Sequence, residues 1–491
     1  MTEADYPLTD LGNARRLVDL YGDRLRYVAP LGGWLAHDGR RWRRDDTEQV
    51  MRYAKDTARH LLDRAADEVD TKRRELLAKH ALEMMRVQRL DAMIRLARSE
   101  PEIVARLDQF DADPWAFNVA NGTLDLRTGT LRPHDPEDYI TKLAPVAFIP
   151  KAAAPTFLQF IRDVFSENPA LIAYIQRALG YAMTGTTGEQ VFLLWIGTGA
   201  NGKGALTRIA EACFGDYFKK ADFSTFTASR SEKVREDIAD LVSVRLLSAE
   251  EGREGARLDE SLLKGLTGQD TISARHLYSP RFSFRPECKL ILATNHRPHV
   301  SGGDKAIWRR LHLVPFERTF VPDLTLEPRM HDELPGVLAW MVEGCLAWQR
   351  EGLNPPAKVR AASEDYREDE DVFGAFLLEC VQDDADAETL TDHLYQEFSA
   401  WAKERGVRKP LSIQAFGNEL TGRGFGKHRD STTGKVVRTG LRLRPDATRR
   451  LHTPNTEGLF GQVPHEGLTK GDFPKPLFSV RGVQETDRGA A

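Results

Sequence analysis

Residues 191–205, VFLLWIGTGANGKGA, decide the fold of this chain. The run VFLLWI is continuously apolar and rich in strand-forming residues, which predicts a strand buried on both faces of a parallel sheet. A glycine-rich turn, a lysine and the helix-forming run ALTRIAEAC follow it. Strand, glycine loop, lysine and helix in this order are typical of a loop that binds phosphate groups.

The turn is suited to a polyphosphate because glycines let backbone N–H groups point inward around the ligand. The helix N-terminus adds partial positive charge, and Lys203 can reach the β and γ phosphates. The predicted nucleotide-binding residues are Gly197, Thr198, Gly199, Ala200, Asn201, Gly202, Lys203, Gly204 and Ala205. Position 204 departs from the usual pattern, in which a Ser or Thr hydroxyl that binds magnesium follows the lysine. The same glycines also fit a dinucleotide-binding fingerprint, so residues further along must decide which nucleotide binds.

Composition excludes several classes of protein. The chain has 491 residues, 41% hydrophobic and 29% charged, enough for roughly three globular domains. It lacks any apolar run near the ~18 residues of a membrane span, and its first residues, MTEADYPLTD, do not resemble a signal peptide. The four cysteines are far apart, with neither zinc nor disulfide spacing. We therefore expect a protein of the reducing cytoplasm without a membrane partner.

The first two thirds of the chain predict two domains. Turn signals such as Asp38-Gly39, Asn121-Gly122 and Thr128-Gly129 predict hairpins, whereas residues 47–98 lack Gly and Pro and predict two or three helices. We expect an α+β N-terminal domain over residues 1–155. Residues 156–355 are expected to form an α/β core around a parallel sheet.

Beyond Pro355-Pro356 the sign of the charge changes along the chain. Residues 364–388 contain eleven acidic residues and one basic residue, whereas residues 403–450 contain thirteen Lys or Arg and four Asp or Glu. Two helical runs and then the basic hairpin STTGKVVRTGLRLR fit the order of a winged helix. We expect a winged-helix DNA-binding domain over residues 356–445 and a disordered tail over residues 446–491.

Two further predicted strands end in polar residues that suit hydrolysis of a nucleoside triphosphate. Residues 244–249 are followed by Glu250 and Glu251, of which one carboxylate can hold magnesium and the other can polarise the attacking water. Residues 289–294 are followed by Asn295, whose amide can orient that water. Each feature alone also fits an ordinary strand end. Because the carboxyl ends of parallel strands meet at one edge, we expect these groups beside the phosphate loop.

Basic residues suggest two more roles. Arg309 or Arg310, in Trp308-Arg309-Arg310-Leu311, suits an arginine finger that acts on a neighbouring subunit's nucleotide, although a surface salt bridge is the simpler alternative. The segment before Asn295 interleaves cations with aromatic residues, which suits single-stranded DNA, although an ordinary basic hairpin has the same pattern. The predicted DNA-binding residues are Lys264, Arg275, His276, Tyr278 and Arg281.

This order of features resembles the helicase part of the phage and plasmid primase–helicases, relatives of the poxvirus primase–helicase in helicase superfamily three. The segments NVANGTLDLRTG (residues 118–129), KGLTGQD (residues 264–270) and ATNHRP (residues 293–298) carry the resemblance. It implies an AAA+ core that uses ATP and Mg²⁺ as a DNA helicase in replication, working as a hexameric ring that translocates on single-stranded DNA. By position, the resemblance assigns Lys203 to the phosphates, Glu250 to magnesium, Glu251 to catalysis, Asn295 to the sensor and Arg309 or Arg310 to the finger.

The resemblance also concerns partners. Family members usually carry a primase domain before this region, and only a short segment precedes the match here, so we expect a separate primase or polymerase. Duplex DNA is expected at the winged helix, and the host cytoplasm is the expected location if a phage encodes the chain.

The alternative function is that of a non-unwinding DNA-binding AAA+ ATPase with a regulatory or origin-binding role. A dinucleotide-binding oxidoreductase is disfavoured because it has no use for Lys203 and the Glu250-Glu251 pair.

Overall fold

The computed structural model describes residues 6–228, 236–274, 282–300, 305–407 and 410–445. The chain forms two compact units, Met1–Ala375 and Phe376–Ala491, which we describe separately. The tail predicted over residues 446–491 lies outside the described residues. Within the described ranges, no helix combines the length and the apolar character needed to cross a bilayer.

The first unit begins with helices and a hairpin sheet packed around an apolar core of their own. The elements are α1 (Asp10–Tyr21), β1 (Leu25–Val28), β2 (Gly33–His37), β3 (Trp42–Arg44), α2 (Gln49–Asp67), α3 (Thr71–Met84) and α4 (Val87–Ala97). Asp38 closes the turn between β2 and β3, because its carboxylate accepts hydrogen bonds from the N–H groups of Arg40 (2.9 Å) and Arg41 (3.0 Å). The predicted hairpin and the predicted helices over residues 47–98 are both confirmed.

A second antiparallel sheet and two helices lead to the central sheet. The elements are β4 (Ala116–Val119), β5 (Gly122–Asp125), β6 (Thr130–Arg132), α5 (Pro155–Val164) and α6 (Pro169–Ala182). The side chain of Asn118 is fully buried, and its Nδ2 donates to the carbonyls of Arg40 (2.9 Å) and Lys142 (3.0 Å). This amide therefore joins the second small sheet to the turn of the first.

The centre of the first unit is a five-stranded sheet in which all four neighbouring pairs are parallel. The elements from here to residue 370 are β7 (Phe192–Ile196), α7 (Lys203–Phe214), β8 (Phe218–Asp222), α8 (Glu236–Ala239), β9 (Leu246–Glu250), α9 (Glu260–Thr267), β10 (Ile272–Ala274), β11 (Phe282–Phe284), β12 (Lys289–Thr294), α10 (Lys305–Trp308), β13 (Leu311–Pro315), α11 (Leu326–Asp332), α12 (Leu334–Glu351) and α13 (Ala357–Glu370). The strand order is β13-β7-β12-β9-β8. The predicted parallel sheet is therefore confirmed.

Strand β7 shows why its sequence is apolar at every position. Phe192 and Leu194 belong to one apolar core, and Leu193 and Trp195 belong to the other. Successive side chains of a strand point to opposite faces, so a strand covered on both faces needs an unbroken apolar run. Because β7 is packed on both faces, its end is fixed at the edge of the sheet. The loop that follows β7 begins at this fixed point.

Helices α6 and α12 approach each other closely at two glycines. A Cβ atom on Gly180 would overlap the backbone nitrogen of Cys345, and a Cβ atom on Gly344 would overlap the backbone oxygen of Gln176. Because backbone atoms cannot move aside as side chains can, the packing depends on glycine at both positions. These contacts join α6, which leads into the central sheet, to the long helix α12.

Gly180→Ala is expected to destabilise the first unit by roughly 3 kcal/mol, because the added methyl group forces two backbones apart. The intrinsic preference of helices for Ala over Gly is about 1 kcal/mol and does not offset this clash. Urea unfolding of the variant and the wild-type chain measures the difference. Gly188→Ala is the matched control, since a Cβ atom there meets nothing within 4 Å. Equal unfolding midpoints for Gly180→Ala and the wild type would contradict the close helix contact.

The second unit is built around an aromatic core. Phe376 packs edge-on against Phe398 and Trp401 and at a tilt against Phe416. Its elements are the end of α14 (Val372–Cys380), then β14 (Val381–Leu390), α15 (Thr391–Glu404), α16 (Ile413–Gly422), β15 (Gly426–Arg429) and β16 (Val436–Leu443). The strands form an antiparallel sheet in the order β14-β16-β15. The predicted basic hairpin, residues 431–444, contains β16 and the turn before it, whereas its partner β15 precedes the predicted range and the acidic strand β14 was not predicted.

Candidate functional site

The loop between β7 and α7 has the backbone shape that its glycines predict. Gly199 and Gly202 have φ angles of +107° and +88°, in the region that favours glycine. A Cβ atom on Gly202 would stand 2.6 Å from a methyl carbon of Val164. On the other side, the N–H of Phe320 donates to the carbonyl of Ala200 at 2.7 Å. The loop is thus held against its surroundings, with the start of α7 at Lys203 facing a cleft.

The lysine of the loop touches the end of a neighbouring strand. Nζ of Lys203 donates to the carbonyl of Gly197 at 2.7 Å and to Oδ1 of Asn295 at 3.2 Å. Lys203 is buried, and burial lowers the pKa of its ammonium group, while nearby Glu250 acts in the opposite direction. The structure therefore brings together Lys203, Asn295 and Glu250, which the sequence predicts to meet.

The two predicted carboxylates lie at the end of the strand beside β12. Glu250 is the last residue of β9, opposite Ala293 of β12, and its Oε2 accepts from Nζ of Lys220 at 2.7 Å. Glu251 is exposed, and its N–H donates to the carbonyl of Ala293 at 3.1 Å. The ion pair with Lys220 was not predicted, because the polar sequence FKKAD of β8 gives no strand signal.

These groups line one cleft of about 1480 Å³. The cleft runs along the carboxyl edge of the sheet, from the start of α5 past the glycine loop to α11. Its lining includes residues 199–205, 250–254, 293–296 and 320–324. Its lining combines backbone N–H groups, one buried lysine and the carboxylates of Glu250 and Glu251 at a strand end, which suits a nucleoside triphosphate.

Magnesium requires oxygen ligands, and the carboxylates of Glu250 and Glu251 are the ones that this edge supplies. The ion usually takes one or two carboxylates together with phosphate oxygens and water, so the set fits. Thr207 does not replace the missing loop hydroxyl, because it is buried and is not among the residues that line the cleft, and its Oγ1 faces the carbonyl of Lys203 at 3.1 Å. In the part of the chain that the structure describes, three or more His, Cys, Asp or Glu residues do not gather into a metal site.

The two arginines of the predicted finger differ in their surroundings. Arg310 is 8% exposed, and its guanidinium donates to the carbonyl of Ala306 at 2.8 Å and to Oε1 of Gln190 at 3.4 Å. Arg309 is exposed. Both precede β13, which runs parallel to β7, so they lie at the sheet edge opposite the glycine loop. Arg309 is therefore the member of the pair that another molecule can reach.

The predicted DNA-binding segment is described only in part. Lys264 lies in the last turn of α9. Arg275, His276, Tyr278 and Arg281 lie outside the described residues. The strands on either side of them, β10 and β11, pair antiparallel, with Ala274 opposite Phe282. Four residues separate β11 from β12, the strand that leads to Asn295.

Comparison with known proteins finds two family models within the first unit. Residues 14–166 match the model described as D5 N terminal like. Residues 195–310 match a family of unknown function (DUF5906). The second match includes the glycine loop, both carboxylates and the two arginines.

Viral proteins are similar in sequence to much of the chain. "Putative helicase 022R" of Frog virus 3 (isolate Goorha) is 28% identical over 393 residues, which cover 62% of this chain and 40% of that protein. "Putative helicase L207/L206" of Acanthamoeba polyphaga mimivirus is 25% identical over 370 residues, which cover 69% of this chain and 38% of that protein. This chain thus spans about two fifths of the length of these relatives. Among solved structures, the A form of the apo NrS-1 C-terminal region covers 87% of this chain and 98% of its own, with 10% identity and a TM-score of 0.48.

Proposed function

We propose that this chain, which belongs to the D5-like primase–helicase family, is an ATP-hydrolysing DNA helicase that acts in replication. The observation that carries the proposal is the contact of Lys203 with Asn295, beside Glu250, at the carboxyl edge of a parallel sheet. A surface glycine turn does not need a buried lysine aimed at two polar strand ends. The test is ATP hydrolysis with and without single-stranded DNA, together with strand separation of a forked duplex.

The strand order supports the assignment of the core to the AAA+ class. With the five strands renumbered in chain order, β13-β7-β12-β9-β8 becomes 5-1-4-3-2, and the phosphate loop follows strand 1, which lies between strands 5 and 4. Ligands of such open sheets bind at the carboxyl ends of the strands. The same class assembles as rings, which supports a hexamer whose channel holds single-stranded DNA.

Within this proposal each residue of the edge has one task. Lys203 binds the β and γ phosphates, Glu250 holds the metal, Glu251 accepts a proton from the attacking water, and Asn295 orients that water. Magnesium supplies charge that stabilises the phosphate oxygens as the bond breaks. Lys203 must leave Asn295 to reach the phosphates, which frees the amide for the water.

Glu251→Gln is expected to lower ATP turnover by at least about 100-fold, because an amide cannot accept the proton of the attacking water. ATP binding should remain, since the phosphate contacts are unchanged. Turnover in a coupled assay and nucleotide affinity by calorimetry measure the two effects. Glu254→Gln is the matched control, since Glu254 is exposed and lines the same cleft. Loss of binding in Glu251→Gln would place this residue in ligand binding rather than in the chemical step.

The topology of the second unit supports a winged helix. Its elements occur in the order α14, β14, α15, α16, β15 and β16, with β14 and β15 on either side of β16. A helix, a strand, two helices and a two-stranded wing are the parts of that fold. Among the described residues of α16, none is Lys or Arg, whereas Lys427 and Arg429 of β15 are exposed. We therefore assign the contact with duplex phosphates to the wing.

Neutralising the wing with Lys427→Ala, Arg429→Ala and Lys435→Ala is expected to weaken duplex binding and its salt dependence. Three phosphate contacts contribute about 2–3 to the slope of log K against log salt, so the slope should fall by that amount. Fluorescence anisotropy of the full chain at several salt concentrations measures it. Lys403→Ala, an exposed cation on α15, is the control. An unchanged slope would favour a protein-docking role for the second unit.

The winged-helix topology also supports the alternative function, a DNA-binding AAA+ ATPase that regulates or marks an origin without unwinding. Both functions predict ATP hydrolysis that DNA stimulates. They differ on a forked duplex, which the helicase separates and the alternative leaves paired. The fork assay therefore decides between them.

A further inference from the structure

Gly204 and Arg208 lie side by side on the helix that follows the phosphate loop. They are four residues apart on α7, so they share a face, and helical side chains lean towards the helix N-terminus. A Cβ atom on Gly204 would stand 3.0 Å from Nη1 of Arg208 and 3.8 Å from its Cζ. The guanidinium of Arg208 therefore occupies the space next to position 204 into which a Ser or Thr side chain would project.

Arg208 is held there by one acidic partner. Its Nε donates to Oε2 of Glu327 at 2.8 Å, and its Nη2 donates to the other carboxylate oxygen. Both residues line the nucleotide cleft, and their side chains are 54% and 34% exposed. The hydrogen bond to Glu327 raises the pKa of Arg208, and Glu250 adds to the effect. Because exposed ion pairs contribute little stability, this pair can exchange its partner for a stronger anion.

We propose that Arg208 binds the polyphosphate directly, in the space where other phosphate loops place a hydroxyl residue, and that Glu327 holds the guanidinium until the nucleotide arrives. This inference rests on the proposed ATPase function and names a further binding residue of the same site. Phosphate and carboxylate offer the same pair of acceptor oxygens to a guanidinium, so the nucleotide can replace Glu327 without moving the helix. A methyl group at position 204 would require the guanidinium to shift by a few tenths of an ångström, and a larger side chain would require a larger shift.

The first test is the affinity of ATP, measured by calorimetry in EDTA and again with magnesium. Arg208→Ala is expected to weaken ATP binding on the order of tenfold in both conditions, because a charge-assisted contact is lost. Binding of AMP should not change. Arg329→Ala is the matched control, since Arg329 also lines the cleft, is 54% exposed and pairs with Asp323 at 2.8 Å. An equal loss in Arg329→Ala would reveal a general charge effect and overturn the specific contact.

The second test is a double-mutant cycle with Gly204→Ala. The new methyl group should shift the guanidinium by a few tenths of an ångström and weaken ATP binding when Arg208 is present. In the Arg208→Ala background the same substitution should have no effect, because nothing remains to be displaced. Equal effects of Gly204→Ala in both backgrounds would assign the glycine to backbone shape and overturn the inference.

Two further results separate the possible failures. If the wild type binds ATP through Lys203 and Arg208→Ala binds it equally well, the inference fails and the proposed function stands. If the wild type binds no ATP, both fail. Glu327→Gln should tighten ATP binding several-fold by releasing Arg208. If Glu327→Gln and Arg208→Ala instead lower the unfolding temperature alike and leave affinity unchanged, the pair only fastens α7 to α11, and the inference is overturned.

Discussion

Lys203→Ala is expected to lower ATP turnover by about 10²–10³-fold, because it removes the one buried cation among the described residues of the cleft, to which we assign the phosphates. DNA stimulation and unwinding should be lost with it. The fold should remain, since among the described residues the ammonium group donates to the carbonyl of Gly197 and to the amide oxygen of Asn295 alone. Steady-state turnover and the thermal unfolding midpoint of the same preparation measure both expectations.

Lys219→Ala is the control for this substitution. Lys219 lies on β8, at the edge of the same sheet, and pairs with Asp240 at 2.9 Å. Its removal takes away one positive charge without touching the cleft, so turnover should not change. A well-folded Lys203→Ala variant with wild-type turnover would show that the cleft is not the site of hydrolysis.

Arg309→Ala is expected to lower DNA-stimulated turnover by about 10³-fold or more, the range seen when an arginine finger is lost. Its own subunit's glycine loop lies at the opposite edge of the sheet. We therefore expect Arg309 to act on the nucleotide of a neighbouring subunit in a ring. Lys305→Ala, an exposed cation on the preceding helix α10, should leave turnover unchanged.

Mixing Lys203→Ala with Arg309→Ala tests action between subunits. Each variant alone is expected to hydrolyse ATP slowly, but about a quarter of the interfaces in a randomly mixed ring would contain both intact halves. Turnover should therefore rise on mixing and peak near equal amounts. Absence of recovery at every ratio, with mixed assembly shown by a pull-down of differently tagged chains, would exclude an arginine finger at this position.

The sequence predicted the strands that are buried on both faces and missed those at the edges. The apolar runs before Gly197, Glu250 and Asn295 correspond to β7, β9 and β12, the three inner strands. The outer strand β8 has the polar sequence FKKAD because it is covered less completely, whereas the outer strand β13, LHLVP, is largely buried and was missed although most of its residues are apolar. Strand β14 carries four acidic residues and could not be recognised from its pattern.

The same reasoning explains how much of the site was predictable. Lys203, Glu250 and Asn295 follow inner strands, and parallel strands bring their carboxyl ends to one edge, so their meeting followed from order alone. Lys220 contacts Glu250 from the neighbouring strand β8, and Arg208 lies beside Gly204 on α7. No sequence motif marks either contact. The choice between Arg309 and Arg310 depends on which side chain is exposed. The sequence does not show this, because the two residues are adjacent and identical.

The hydrogen bond between Lys203 and Asn295 uses the same ammonium group that a phosphate ligand would contact. A nucleotide that contacts Lys203 must first break this hydrogen bond. The free energy of breaking the bond therefore lowers the apparent affinity of the nucleotide below its intrinsic affinity. The same exchange releases the side chain of Asn295, which follows β12, the strand whose other end lies four residues from β11. We therefore expect β12 to link a change in the contacts of Lys203 to the paired strands β10 and β11.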